Sequence, residues 1–356
     1  TAKITVDGTA LSATDGSVGL ASMDGGKLTQ SGNTDITVEG SASIGLYADG
    51  KYGIPAATAT TLKVTGGTVT AKDGAFNIYA ANSGTITLDG VTLNTEPKSL
   101  AFYTTDGGKI NFTGAQTVAN IKGGADANSR GTAFLYKGAG ATYTPFTPTA
   151  VGQWAKDNFK DAIGNSTLNK LTLNMEQGSR LFIAQNVAMD LSGTAPGGIA
   201  GALPGVTFTG SNDYKTFMLY LSKLSLDNDI NLDDPTDAYN KLEISNSTIE
   251  NQNSKTITGT SAGQVAIAQE NDTTLDRTKV QLINHGTINL SGANSTAIYG
   301  KFAEIKNDTT GTISVADGSA ALYGTTDSKL ENKGTMLPEI KDSELYLEDT
   351  NNTIKK

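Results

Sequence analysis

The chain has 356 residues, 37 % of them hydrophobic, with a formal net charge of −9 and a pI near 4.7. That balance speaks against nucleic acid as a partner, which needs a basic stripe. The absence of cysteine excludes disulfides, thiolate metal sites and a Cys nucleophile, and no run approaches the ~20 apolar residues of a membrane helix.

The pattern is already running at the first residues. Ile4-Thr5-Val6-Asp7-Gly8 reads as a strand and a corner, so the chain is expected to be a fragment of a longer protein. Residues 1–137 form the first block of coils. Ile36-Thr37-Val38 leads to Ile44-Gly45-Leu46-Tyr47, and Leu62-Lys63-Val64 leads to Phe76-Asn77-Ile78-Tyr79. Ile86-Thr87-Leu88-Asp89-Gly90 leads to Ala101-Phe102-Tyr103, and Ile110-Asn111-Phe112 to Ala133-Phe134-Leu135-Tyr136. Apolar residues alternate within each short run, which turns one strand face inward. Gly-Gly and Asp-Gly pairs supply the bends between runs.

Residues 138–167 interrupt the rhythm. Thr147-Pro148 reads as a helix start, and Val151, Trp154, Ala155, Phe159, Ala162 and Ile163 follow at helical spacing until Gly164. The spacing predicts a short amphipathic helix behind an aromatic loop carrying Tyr143, Pro145 and Phe146. From 168 to 356 the coils resume, with loop insertions expected near 196–206 and 227–241. Asp234-Pro235 reads as a second helix start. Asn284, Asn307 and Asn332 recur at one corner, where a side-chain ladder or left-handed backbone would use them. Tyr299 and Tyr323 are 24 residues apart, as are Tyr79 and Tyr103.

A block that returns every 20–30 residues is the mark of a solenoid. The expected fold is all-β, a right-handed parallel β-helix with short helical and loop insertions; a β-sandwich or β-roll is the alternative. The repeated Gly-x-Ile-x-apolar and apolar-Tyr-Gly/Ala phrases are clearest in turns 283–299 and 305–323. With the Thr/Asn/Gly corners, the acidic pI and the missing cysteines, they resemble passenger domains of type V autotransporters. The phrasing is especially similar to the large fusobacterial outer-membrane adhesins. That resemblance implies export to the bacterial cell surface, adhesion to host cells or other bacteria, and a C-terminal membrane barrel lying outside this sequence.

Chemistry finds little support in the residues. His285 is the only histidine, so a Ser-His-Asp triad would have to use it; it matches Lys333 at the same corner further along the series, as a solvated residue would. No metal or other cofactor is expected. The acids Asp227, Asp229, Asp233, Asp234 and Asp237 read as a capped, solvated loop, and the tyrosines as a register mark where coils lock together. A β-helical polysaccharide hydrolase or lyase and a passive stalk are the rival readings. The expected function is a non-enzymatic, monomeric adhesin segment whose partner is a host-cell receptor or glycan, or another bacterium's surface. Tyr143, Phe146, Trp154, Phe159, Asp233 and Asp234 are the candidate contact residues, with Trp154 and Phe159 also suited to packing the helix on the rod's flank.

Overall fold

The computed structural model describes residues 2–7, 16–50, 59–137, 149–190, 203, 205–235, 237–274, 280–337, 345–347 and 353–355. The fold is a parallel β-helix: short strands follow one another around a coil, and each pairs in parallel with its counterpart one coil later. The chain divides into two compact units. One comprises residues 1–137, 152–183 and 202–217, the other 138–151, 184–201 and 218–356.

The first unit has three faces. One stacks Ala2–Asp7, Thr34–Glu39, Thr68–Lys72, Thr92–Thr95, Thr117–Ile121, Leu171–Met175 and Thr207–Gly210. The second stacks Val18–Met23, Ile44–Asp49, Phe76–Ala81, Leu100–Thr104, Thr132–Lys137, Arg180–Gln185 and Lys215–Tyr220. The third holds Lys27–Gln30, Thr61–Thr65, Thr85–Asp89 and Lys109–Thr113. Register puts like on like: Leu62, Ile86 and Ile110 form one inward column, and Val64, Leu88 and Phe112 the next. All six are buried. On the second face the small residue of the small–apolar–Tyr phrase sits at an inward bend. A Cβ on Gly45 would lie 2.4 Å from Val69 Cγ1 and 2.7 Å from the Asn77 carbonyl. Asn77 occupies the same position one coil on and is fully buried. Its amide donates to the carbonyls of Val69 (2.8 Å) and Asn94 (3.1 Å), and its oxygen accepts from Thr95 Oγ1 (2.7 Å), which satisfies the polar group.

The second unit also has three faces. The longest stacks Thr149–Ala150, Ala188–Asp190, Lys223–Leu226, Thr248–Asn251, Gln281–Asn284, Glu304–Asn307, Lys329–Asn332 and Thr353–Lys355. The others run Ile230–Asn231, Thr256–Gly259, Thr287–Leu290, Thr312–Val315, Thr335–Leu337, and Val265–Glu270, Thr296–Lys301, Ala320–Thr325, Leu345–Leu347. The asparagine corner is a continuous ladder. Asn251 donates to Asn284 (2.8 Å), Asn284 to Asn307 (2.9 Å) and Asn307 to Asn332 (2.9 Å). The column takes over the inward position of Leu226, so a polar stack replaces an apolar one.

Within the 138–167 interruption, residues 149–167 are built differently from their sequence expectation. Thr147 and Pro148 lie outside the described residues. The helix covers Val151–Asn158 and stops there, well short of Gly164. Asn158 turns its amide back onto the Trp154 carbonyl (2.7 Å). Asp161 then captures the amides of Ile163 (3.0 Å) and Asn165 (2.8 Å), so side-chain bonds replace the next helical turn. Gly164, at φ +93°, closes that loop rather than a helix. Ile163, expected on the apolar stripe, is 84 % exposed.

Candidate functional site

Tyr143 and Phe146 lie outside the described residues. The other predicted contact residues do structural work. Trp154 is 5 % exposed and Phe159 fully buried. Phe159 lies against Phe134 at 5.4 Å and Phe102 and Phe112 at 6.1 Å between ring centroids. Trp154 lies against Tyr136, Phe182 and Phe134 at 5.3 to 5.8 Å. Among the described residues no strand continues the third face beyond Lys109–Thr113. There Thr167 Oγ1 accepts the Phe112 amide (3.2 Å). The helix thus serves as wall and core where the strand stack stops, which removes Trp154 and Phe159 from the contact surface.

Asp233 is a latch. Its carboxylate accepts from the amide (2.7 Å) and hydroxyl (2.9 Å) of Thr260, the amide (3.2 Å) and hydroxyl (2.7 Å) of Ser261, and Gln264 Nε2 (2.8 Å). The Ser261 hydroxyl first, with the other donors, holds its pKa down to about 2. The 227–241 excursion is thereby tied to the next coil, and Ile230–Asn231 joins a face outright. The cap expected at Asp234 falls at Asp237, whose Oδ1 accepts from the Tyr239 amide (2.9 Å) at the head of the 3-10 turn Ala238–Lys241. Asp234 contributes its carbonyl to Asn240 Nδ2 (2.7 Å). His285 Nδ1 lies 3.2 Å from Asp308 on the following corner.

The tyrosines stack outward in register. Tyr47 and Tyr79 are 5.3 Å apart, Tyr79 and Tyr103 4.5 Å apart and 18° from parallel. Desolvation in this stack, with Asp49 beside Tyr47, raises the pKa of Tyr47 and Tyr103. Tyr79 and Tyr103 cover one another's faces, whereas Tyr47 is tilted 41° to Tyr79 and Tyr299 59° to Tyr323. These ring contacts pack one coil on the next, and the stacked pair has no open face between its rings for a sugar.

A concave site arises elsewhere. Among the fully described corners where the first face passes to the second, 40–43, 73–75, 96–99, 176–179 and 211–214 are three or four residues long, and 122–131 is ten. The long corner is pinned at several points. Arg180, 3 % exposed, donates Nη2 to the Ala127 carbonyl (2.7 Å). Arg130 donates Nη1 to the Gly178 carbonyl (2.7 Å). Lys122 pairs with Glu176 at 2.6 Å, an interaction that lowers the pKa of Glu176 and raises that of Lys122. Asp126 folds the tip by accepting the amides of Asn128 (2.8 Å) and Ser129 (3.0 Å). Gly178 has φ +73°, and a Cβ there would lie 2.9 Å from the Gly124 carbonyl, so only glycine lets the two corners approach this closely.

Between corners 122–131, 176–179 and 211–214 lies a cavity of about 420 Å³, lined among others by Ala125, Arg130, Gln177, Asp213, Tyr214 and Lys215. Gln177 Nε2 donates to Asp213 Oδ2 (3.0 Å). Tyr214 stacks on Phe208, 6° from parallel, and desolvation raises its pKa. Sequence reasoning passed over this corner. Its signal was the turn-rich stretch Gly123-Gly124-Ala125-Asp126-Ala127-Asn128-Ser129, longer than the bends on either side. Among the described residues no group of three or more His, Cys, Asp or Glu is placed to hold a metal, and no helix is long and apolar enough to cross a membrane.

Fold and cavity together define the class as a parallel β-helix carrying a polar pocket on one flank. No family model, curated protein or solved structure matches the chain.

Proposed function

We propose that this chain is a non-enzymatic segment of a bacterial cell-surface adhesin, an autotransporter passenger that attaches its cell to a host cell or another bacterium. The observation that supports this most is the ten-residue corner 122–131. It leaves a regular scaffold, is fastened by a buried arginine, and builds a polar cavity in place of a plain bend. Binding surfaces concentrate on loops held by rigid scaffolds, and a cavity of this size lies in the range of ligand pockets. A stalk needs no such excursion.

Beads coated with the chain, offered to host cells and to bacteria, test the reading. Ala125→Trp adds bulk at the cavity lining from an exposed position and leaves the pinning bonds in place. Attachment by the parent that falls with Ala125→Trp is the expected result. Attachment to no cell type would favour a stalk, and cleavage of a polysaccharide by the purified chain would overturn the non-enzymatic assignment.

A further inference from the structure

We infer that the 122–131 cavity binds an acidic monosaccharide unit, a ring bearing both hydroxyls and a carboxylate. The inference rests on the adhesive reading for its use in the cell and on the cavity for its chemistry.

Charge comes first. The chain carries −9, yet Arg130 and Lys215 line this cavity against a single lining acid, Asp213. The lining carries one cation in excess on an acidic protein; Asp126 acts on Arg130 from the same corner, which leaves Lys215 as the cation that favours an anion here. Arg130 is already held by the carbonyls of Gly178 and Gly124, which fixes its guanidinium beside the cavity. The Lys215 ammonium differs. Its backbone amide is spent on the Ser179 carbonyl (2.9 Å), its side chain is half-buried, and among the described residues it has no ion-pair partner. A lining lysine with no ion-pair partner among the described residues is a ready partner for a ligand carboxylate.

The rest of the lining suits a hydroxylated ring. Asp213 keeps one carboxylate oxygen beyond the one engaged by Gln177, an acceptor for sugar hydroxyls. The Gln177 carbonyl oxygen adds another. Tyr214, parallel to Phe208, brings an aromatic ring to the lining against which the C–H face of a sugar can pack. Size decides between two sources of carboxylate. At about 420 Å³ the cavity accepts a whole sugar ring, whereas an Asp or Glu side chain of a protein partner would leave most of it as water. Aromatic wall, acceptors and cation together match the sugar acid better than the peptide.

The test uses the whole chain and calorimetric titration at low salt. The probes are N-acetylneuraminic acid, glucuronic acid, glucose and N-acetylglutamate. The expected result is a Kd of about 1 mM or tighter for at least one acidic sugar, at least about tenfold weaker binding of glucose, and weakening as salt rises. Lys215→Gln is expected to lose about tenfold for the acid and little for glucose, with an unchanged circular dichroism spectrum. Equal binding of glucose and the acids, or no binding of either acid, overturns the inference without need of any variant. N-acetylglutamate binding as tightly as the sugar acids would assign the site to peptide carboxylates and overturn it too. Sugar binding without attachment of beads to any cell would leave the pocket assigned and sink the adhesive reading. Attachment without sugar binding would do the reverse.

Discussion

Phe159→Ala separates the observed packing from the helical stripe read in the sequence. Phe159 is fully buried and has four ring neighbours, Phe134 at 5.4 Å, Trp154 at 5.5 Å, and Phe102 and Phe112 at 6.1 Å. Three of them stand on strands tied into the stack on at least one side, so the hole left by truncation cannot close. Phe→Ala in such a site costs about 3–5 kcal/mol. At a urea m-value of about 3 kcal/mol/M, a loss of about 4 kcal/mol lowers the midpoint by about 1.3 M. Trp154 is the only tryptophan and touches Phe159, so its fluorescence reads this region alone. In a solenoid, where each coil is coupled chiefly to its neighbours, that local report is the relevant one. Ile163→Ala is the paired control: at 84 % exposure it should change stability by less than about 0.5 kcal/mol. The packing account is refuted if the two variants unfold at the same urea concentration, or if Phe159→Ala leaves the Trp154 transition where it was.

Three further outcomes follow from the contacts. The pKa of Asp233 is depressed to about 2 from about 3.9 in an unfolded chain, so its latch contributes in full above about pH 4 and is lost as pH falls through about 2. Amide protection at Thr260 and Ser261, taken relative to the intrinsic exchange rate at each pH from 6 to 2, should fall only at the acid end in the parent; Asp233→Ala should show the lower protection at every pH. Asn284→Ala breaks the ladder in mid-run and orphans buried partners on both sides, at about 1–3 kcal/mol. Asn332→Ala, half-exposed at a rung whose one ladder bond is to Asn307, should cost visibly less in the same thermal melts, and equal losses would dismiss the ladder as incidental. Gly45→Val forces side-chain atoms against Val69 and the Asn77 carbonyl and should cost about 1–3 kcal/mol by overpacking; a melt within error of the parent would mean that the inward bend is not close-packed.

The coils were legible because strand alternation is local. Leu62 and Val64 point inward for the same reason in sequence and in structure, since successive side chains on a strand leave by opposite faces. The asparagine corner was legible from spacing, but spacing left a side-chain ladder and left-handed backbone both open; the structure decides for the ladder and adds Asn251 as its first rung. The helix was legible only in its first turns. Phe159 and Ile163 are four apart, and helical spacing puts both on one stripe. Asp161 between them takes two amides that a longer helix would need, and the stripe breaks with Phe159 inside and Ile163 outside. Of the acids at 227–237, the cap was placed at Asp234 and falls at Asp237, and the donors that hold Asp233 come from residues 260–264, beyond any local window.

By itself, then, the sequence determined the architecture. A strand-and-corner phrase that returns at near-constant length can bury its apolar face only against copies of itself, and that follows from period and alternation without coordinates. Only the tertiary structure decided where binding is to be sought. Corner 122–131, Gln177 and residues 213–215 are separated by up to about ninety positions, and each alone reads as an ordinary polar bend. Stacking one coil on the next sets them side by side around the cavity, and the bond from the buried Arg180 to Ala127 fastens the long corner in place.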